Sequence, residues 1–125
     1  MVIERKELSD SICGNIGKKI NSFNSKKYCF VAKENDIVYG ISTLYTKNDE
    51  VYISDIVVFN EYRNIGIGTK IIEKIENDFK NEGFNKIKLV INSYQFPIFF
   101  EKCGFKIELI KKNDSFDTLY LIKYF

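Results

Sequence analysis

Between residues 50 and 91 the chain reads strand, glycine turn, helix, strand, and this run constrains the fold more than any other. "EVYISDIVVF" (50–59) is rich in β-branched and aromatic residues, and "NIGIGT" follows after a short link. Ile67, Ile71, Ile72, Ile75 and Phe79 then share one side of a helix, with Glu73, Lys74, Asn77, Asp78 and Lys80 on the other. Gly83 stands where a helix ends in the left-handed conformation. "KIKLVI" (86–91) puts Ile87, Leu89 and Ile91 on one face of the next strand. A helical crossover between neighbouring strands makes them parallel and is right-handed. The sheet therefore contains a parallel pair, with the helix packed over it.

The flanks set the class. Residues 2–5 suit a first strand. Leu8, Ile12, Ile16, Ile20 and Phe23 form a helical face over residues 8–23. Gly14 and Gly17 weaken that helix by about 1 kcal/mol each, which predicts a short or broken element. Strands at 28–33, 37–46 and 50–59 are joined by the tight turns "END" and "KND", an antiparallel meander, with Gly40 a candidate bulge. Pro97 suits the first turn of a short helix over 97–103 that ends at Gly104. Strands 105–111 and 116–125 close the chain. The reading is α+β: one mixed, mostly antiparallel sheet flanked by helices, in a single domain spanning residues 1–125.

Composition removes several chemistries. The chain has no histidine, and Cys13, Cys29 and Cys103 form no CxxC pair. A structural zinc site, a Cys-His dyad and a Ser-His-Asp triad are excluded, and no metal is expected. Any general base is a carboxylate, a tyrosine, a lysine or water. The net charge is only +2 and the lysines are scattered, so nucleic acid is not an expected partner. No apolar run approaches a membrane span and "MVIERKELSD" lacks a leader pattern, so no membrane partner and a cytoplasmic location are expected.

The glycine turn has the chemistry to receive an anion. The first N–H groups of a helix have no internal partner, and the helix dipole is positive there. Gly66 and Gly68 let a phosphate approach those amides, and Arg63 adds a bidentate donor. The Walker pattern GxxxxGK[ST] is absent. A dinucleotide GxGxxG would need a third glycine where Ile71 stands. Taken alone, RxxGxG fits a plain structural turn equally well.

Val58 near the end of its strand, "RNIGIG" (63–68), an amphipathic helix and "FEKCGF" (100–105) follow one another here as in the GNAT superfamily of N-acetyltransferases. The chain resembles that family along nearly its full length, with a shorter N-terminal helical region. The resemblance implies acetyl-CoA as co-substrate and a small-molecule or protein amine as acceptor, and it leaves a homodimer open. It implies that Ile56, Val57 and Val58 pair through their backbone with the pantetheine arm. The amides of Asn64, Ile65, Gly66, Ile67, Gly68 and Thr69 would hold the pyrophosphate with Arg63. Strand 86–91 would splay from strand 50–59, with Asn92, Phe99, Phe100 and Lys102 across the arm.

For catalysis, the resemblance gives the Val58 amide the oxyanion. The family often protonates the leaving thiolate with a tyrosine at the position of Phe100, and a phenyl ring cannot do this. Tyr94 is the candidate to replace it, with water or the incoming ammonium as alternatives. Asp55, an acid inside an apolar strand, is the first candidate base; an ion pair or an edge-facing carboxylate is the other account of it. Glu50 is the second candidate. The competing function is an acyl-CoA-binding module with little or no catalysis.

Overall fold

The computed structural model describes residues 1–8, 25–95 and 97–125. The strands are β1 Val2–Leu8, β2 Lys26–Glu34, β3 Ile37–Lys47, β4 Glu50–Val58, β5 Lys86–Asn92, β6 Lys106–Lys112 and β7 Asp117–Tyr124; the helices are α1 Ile67–Asn81 and α2 Pro97–Lys102. One seven-stranded sheet runs β1-β2-β3-β4-β5-β7-β6. Among the described residues its one parallel pair is β4–β5. This is the α+β architecture expected. Two expectations move. The first strand extends from Val2 to Leu8 because all of it pairs with β2, from Val2↔Lys33 to Leu8↔Lys27. Leu8, expected to open a helix, thus closes a strand, and the rest of that predicted helix lies outside the described residues.

α1 lies on one face of the sheet. Ile67, Ile71, Ile72, Ile75 and Phe79 are buried with Tyr28, Phe30, Leu44, Val51, Ile53, Ile87 and Leu89. Each such side chain contributes roughly 1.5–3 kcal/mol relative to exposure, so helical spacing and strand alternation are satisfied by the same core. Phe79 meets the Tyr28 ring edge-on at 5.3 Å. Truncating Phe79 to alanine would remove about 3–5 kcal/mol. The helix ends as its sequence demands. Gly83 has φ +95°, its N–H donates to Lys80 O, and Phe84 N–H reaches back to Phe79 O. Arg5 of β1 pairs with Glu82 and Asp78 while its guanidinium lies 4.4 Å from the Phe79 ring centre, tying the sheet edge to the end of α1.

The bulge expected at Gly40 falls beside it. Ala32 faces Gly40 and Lys33 faces Val38, so Tyr39 is the extra residue. Gly40 serves close approach instead: a Cβ there would sit 2.9 Å from Val57 O and 3.3 Å from the Ile71 side chain. Among the described residues no helix is long and apolar enough to cross a membrane.

Candidate active site

A second bulge opens the sheet. Asp55 faces Thr43 and Ile53 faces Leu44, which leaves Ser54 without a partner on β3. The buried Ser42 hydroxyl donates to Asp55 O at 2.8 Å and holds the irregular backbone in place. β4 pairs with β5 only from Val51↔Ile87 to Ile53↔Leu89. β5 stays paired with β7 as far as Asn92. The two parallel strands therefore part at Ser54, and a cleft of about 790 Å³ opens between them. The splay expected of strand 86–91 is present, and the bulge accounts for where it begins.

β4 presents its free edge to this cleft. Phe59 N–H donates to Tyr39 O at 3.0 Å, on the β3 side. Successive amides of a strand point to opposite sides, so Val58 N–H faces the cleft. The Val58 carbonyl accepts from Arg63 Nε at 2.8 Å. Part of the Arg63 fork is thus spent on the backbone, and its terminal nitrogens are what it retains for an anion.

The glycine turn borders the same cleft. Asn64 and Gly66 have φ +67° and +88°, so the chain passes through two left-handed residues before the helix. Gly66 is the N-cap, and Lys70 N–H donates to its carbonyl at 3.0 Å. The amides of Ile67, Gly68 and Thr69 precede that first helical bond and have no partner within the helix. The two glycines have different causes. Gly66 has open space around it and is required by its φ. Gly68 makes room for a neighbour: a Cβ would sit 3.0 Å from Phe99 Cζ, so the ring would have to shift.

Asp55, Ile56, Val57, Val58, Arg63, Asn64, Gly66, Ile67, Gly68, Thr69, Tyr94, Phe99 and Phe100 all line this cleft. Ile65, Asn92 and Lys102 do not. Ile65 stands at the crest of the turn, 66% exposed. Lys102 is exposed at the end of α2. The Asn92 side-chain amide donates to the Tyr94 hydroxyl at 2.9 Å, and its N–H donates to Gln95 Oε1 at 2.8 Å. Glu50 is also absent from the cleft wall. Burial pushes its carboxyl up, but hydrogen bonds from Tyr52 and Lys88 and the charge of Lys86 outweigh this and leave it lowered. The same bond pushes Tyr52 up to about 12. Burial raises the thiols of Cys29 and Cys103, which makes both poor nucleophiles.

The sequence reading missed Ser54, Tyr62, Gln95 and the stretch Leu89–Ile91, all of which line the cleft. Leu89 to Ile91 alternate like any core strand. Only the β3–β4 register shows that β4 has left them uncovered. The adjacent polar pair Ser54 and Asp55 inside an apolar strand was the available signal for the bulge.

The acetyltransferase (GNAT) domain family matches residues 25–107, more than half the chain, and the chain belongs to that family. Among curated proteins no sequence matches it. Solved structures share its fold. An acetyltransferase from Bacillus cereus superposes with a TM-score of 0.75 at 19% identity, over 93% of this chain and 88% of that one. A protein assigned as a streptothricin acetyltransferase from Bacillus anthracis, in complex with acetyl coenzyme A, gives 0.68 at 25% identity, over 87% and 67%. The ribosomal-protein-S18-alanine N-acetyltransferase from Escherichia coli gives 0.72 at 13% identity, over 98% and 94%.

Proposed function

We propose that this chain, acting as one domain, transfers an acetyl group from acetyl-CoA to the nitrogen of a primary amine. The observation that carries the reading is the parting of β4 from β5 at Ser54, which leaves the Val58 amide facing a cleft that ends at the unpartnered amides of α1. A pyrophosphate suits those amides, helped by the helix dipole and the terminal nitrogens of Arg63. The amide-rich pantetheine arm suits the free edge of β4, because it can form the hydrogen bonds a neighbouring strand would otherwise form. The acetyl-CoA complex of the Bacillus anthracis protein supports the choice of ligand.

In the reaction the neutral amine nitrogen attacks the thioester carbonyl carbon. The new C–N bond forms as negative charge develops on the carbonyl oxygen, which the Val58 N–H stabilises. The carbonyl reforms as the C–S bond breaks. The nitrogen gives a proton to Asp55, directly or through water, and the departing thiolate takes one from Tyr94. Asp55 is exposed on β4 immediately beyond the bulge and lines the cleft. Much of the acceleration comes from holding amine and thioester together.

The test is calorimetry with acetyl-CoA, joined to an assay of free CoA release with a panel of amines. Saturable binding with amine-dependent release supports the reading, and absence of binding refutes it. The second reading, an acyl-CoA-binding module, is favoured by Phe100, which is 5% exposed and offers no hydroxyl. Binding without release on any amine would select it.

A further inference from the structure

The end of β4 is held from outside the strand. Its pairing with β5 stops at Ile53↔Leu89, so the Val58 carbonyl has no partner on that side, and Arg63 Nε donates to it at 2.8 Å instead. The same peptide unit carries Phe59 N–H, which points the opposite way and donates to Tyr39 O at 3.0 Å. That unit is therefore bound at both ends. Tyr39, the extra residue of the β3 bulge, also sets the path of the chain between the two bonds. Its ring stands edge-on to Tyr62 at 4.5 Å, and its hydroxyl donates to Glu34 at 3.0 Å. Asn60–Tyr62 make a single tight turn of 3-10 helix, which brings Arg63 back to the strand the chain has just left.

We propose, resting on the acetyl-transfer reading, that Arg63 is a positioning residue as well as a phosphate ligand: through the Val58 carbonyl it fixes the direction of the Val58 N–H. The N–H and carbonyl of one strand residue point to the same side, so a donor that holds the carbonyl also orients the amide beside it. An amide that stabilises an oxyanion is effective when it is already aimed, because reorienting it during the reaction would cost part of what it contributes. A strand end with no neighbour on one side would otherwise open locally and take the Val58 amide with it. Phosphate needs only the terminal nitrogens of the guanidinium, so the bond from Nε is a second use of the same side chain. Lysine carries a single nitrogen at its tip and cannot reproduce this fork.

The experiment compares acetyl-CoA with S-acetylpantetheine, which keeps the arm and the thioester and has no phosphate. It uses the wild type, Arg63→Lys and Arg63→Ala, with the amine of the panel that the wild type acetylates fastest. Arg63 is exposed, so both variants should melt with the wild type. Arg63→Lys should keep much of the acetyl-CoA affinity. It should lose about tenfold in kcat at saturating acetyl-CoA and about tenfold in kcat/KM on S-acetylpantetheine, the worth of one charged hydrogen bond. Arg63→Ala should show the same losses and a raised KM for acetyl-CoA. Without ligand, the Phe59 amide should exchange with solvent several-fold faster in Arg63→Ala than in the wild type. An effect confined to KM for acetyl-CoA, with S-acetylpantetheine used as well as by the wild type, would make Arg63 a phosphate ligand alone and overturn the proposal. Unchanged exchange at Phe59 would overturn it too. A wild type that uses neither thioester would instead refute the acetyl-transfer reading, and with it the role of the Val58 amide.

Discussion

The Asn92 side-chain amide donates to the Tyr94 hydroxyl oxygen at 2.9 Å, so the phenolic proton of Tyr94 is left to be given elsewhere. Tyr94 lines the cleft, its ring standing edge-on to Phe116 at 6.0 Å. Tyr94→Phe removes the oxygen and keeps that packing. We expect kcat to fall by about 10²- to 10⁴-fold, the usual worth of a general acid, with acetyl-CoA affinity unchanged. Steady-state kinetics with calorimetry check this. An unchanged kcat would move the proton to water and leave the Asn92–Tyr94 bond a structural one.

The left-handed backbone of Gly66, φ +88°, gives a test of charge at the turn. Asp and Asn both enter that conformation more readily than other side chains. They differ in charge and hardly in shape. Gly66→Asp should abolish acetyl-CoA binding by placing a carboxylate where the proposed complex would put a phosphate, and Gly66→Asn should retain most of it. Equal loss in the two variants, by calorimetry, would make the effect one of backbone strain and remove the phosphate from this turn.

Gly68 and Phe99 should behave as a coupled pair. Gly68→Ala places a methyl group 3.0 Å from the Phe99 ring, which forms part of the cleft wall and must give way. We expect weaker acetyl-CoA binding in Gly68→Ala and recovery in the double variant with Phe99→Leu. The interaction energy of a contacting pair is commonly 0.5–3 kcal/mol, roughly two- to a hundredfold in affinity. A double-mutant cycle with additive effects would contradict the packing account.

Stability should fall in acid partly through Glu82. The hydrogen bond from Arg5 holds its carboxyl below the ordinary value of 4.5, against the opposing effect of burial. A depressed folded-state pKa gives stability that is present above pH 4.5 and is lost as pH falls through the lowered value. The Glu82 side chain is 43% exposed, which limits the pair to about 0.2–1 kcal/mol. Glu82→Gln should be slightly less stable at pH 7, and its urea midpoint should fall less steeply below pH 4.5 than that of the wild type. Parallel pH profiles would refute the linkage.

What the sequence determined by itself was whatever depends on near neighbours along the chain. The spacing of Ile67, Ile71, Ile75 and Phe79 defines α1 and its buried face, because helical residues three and four apart share a side. Gly66 and Gly83 bound that helix through backbone conformations that few other residues adopt. The crossover follows from strand, helix and strand in succession, and with it the place of the glycine turn. What the tertiary structure alone decided depends on register and on contacts distant in sequence. Ser54 is a bulge only because Ile53 and Asp55 face consecutive residues of β3, and the place where β4 leaves β5 follows from it. The space beside Gly68 is taken by Phe99 of another helix. A one-residue change of register would turn the side chains of a strand to the opposite face, and the residues that oppose one another across β3, β4 and β5 are brought together only by the folded sheet.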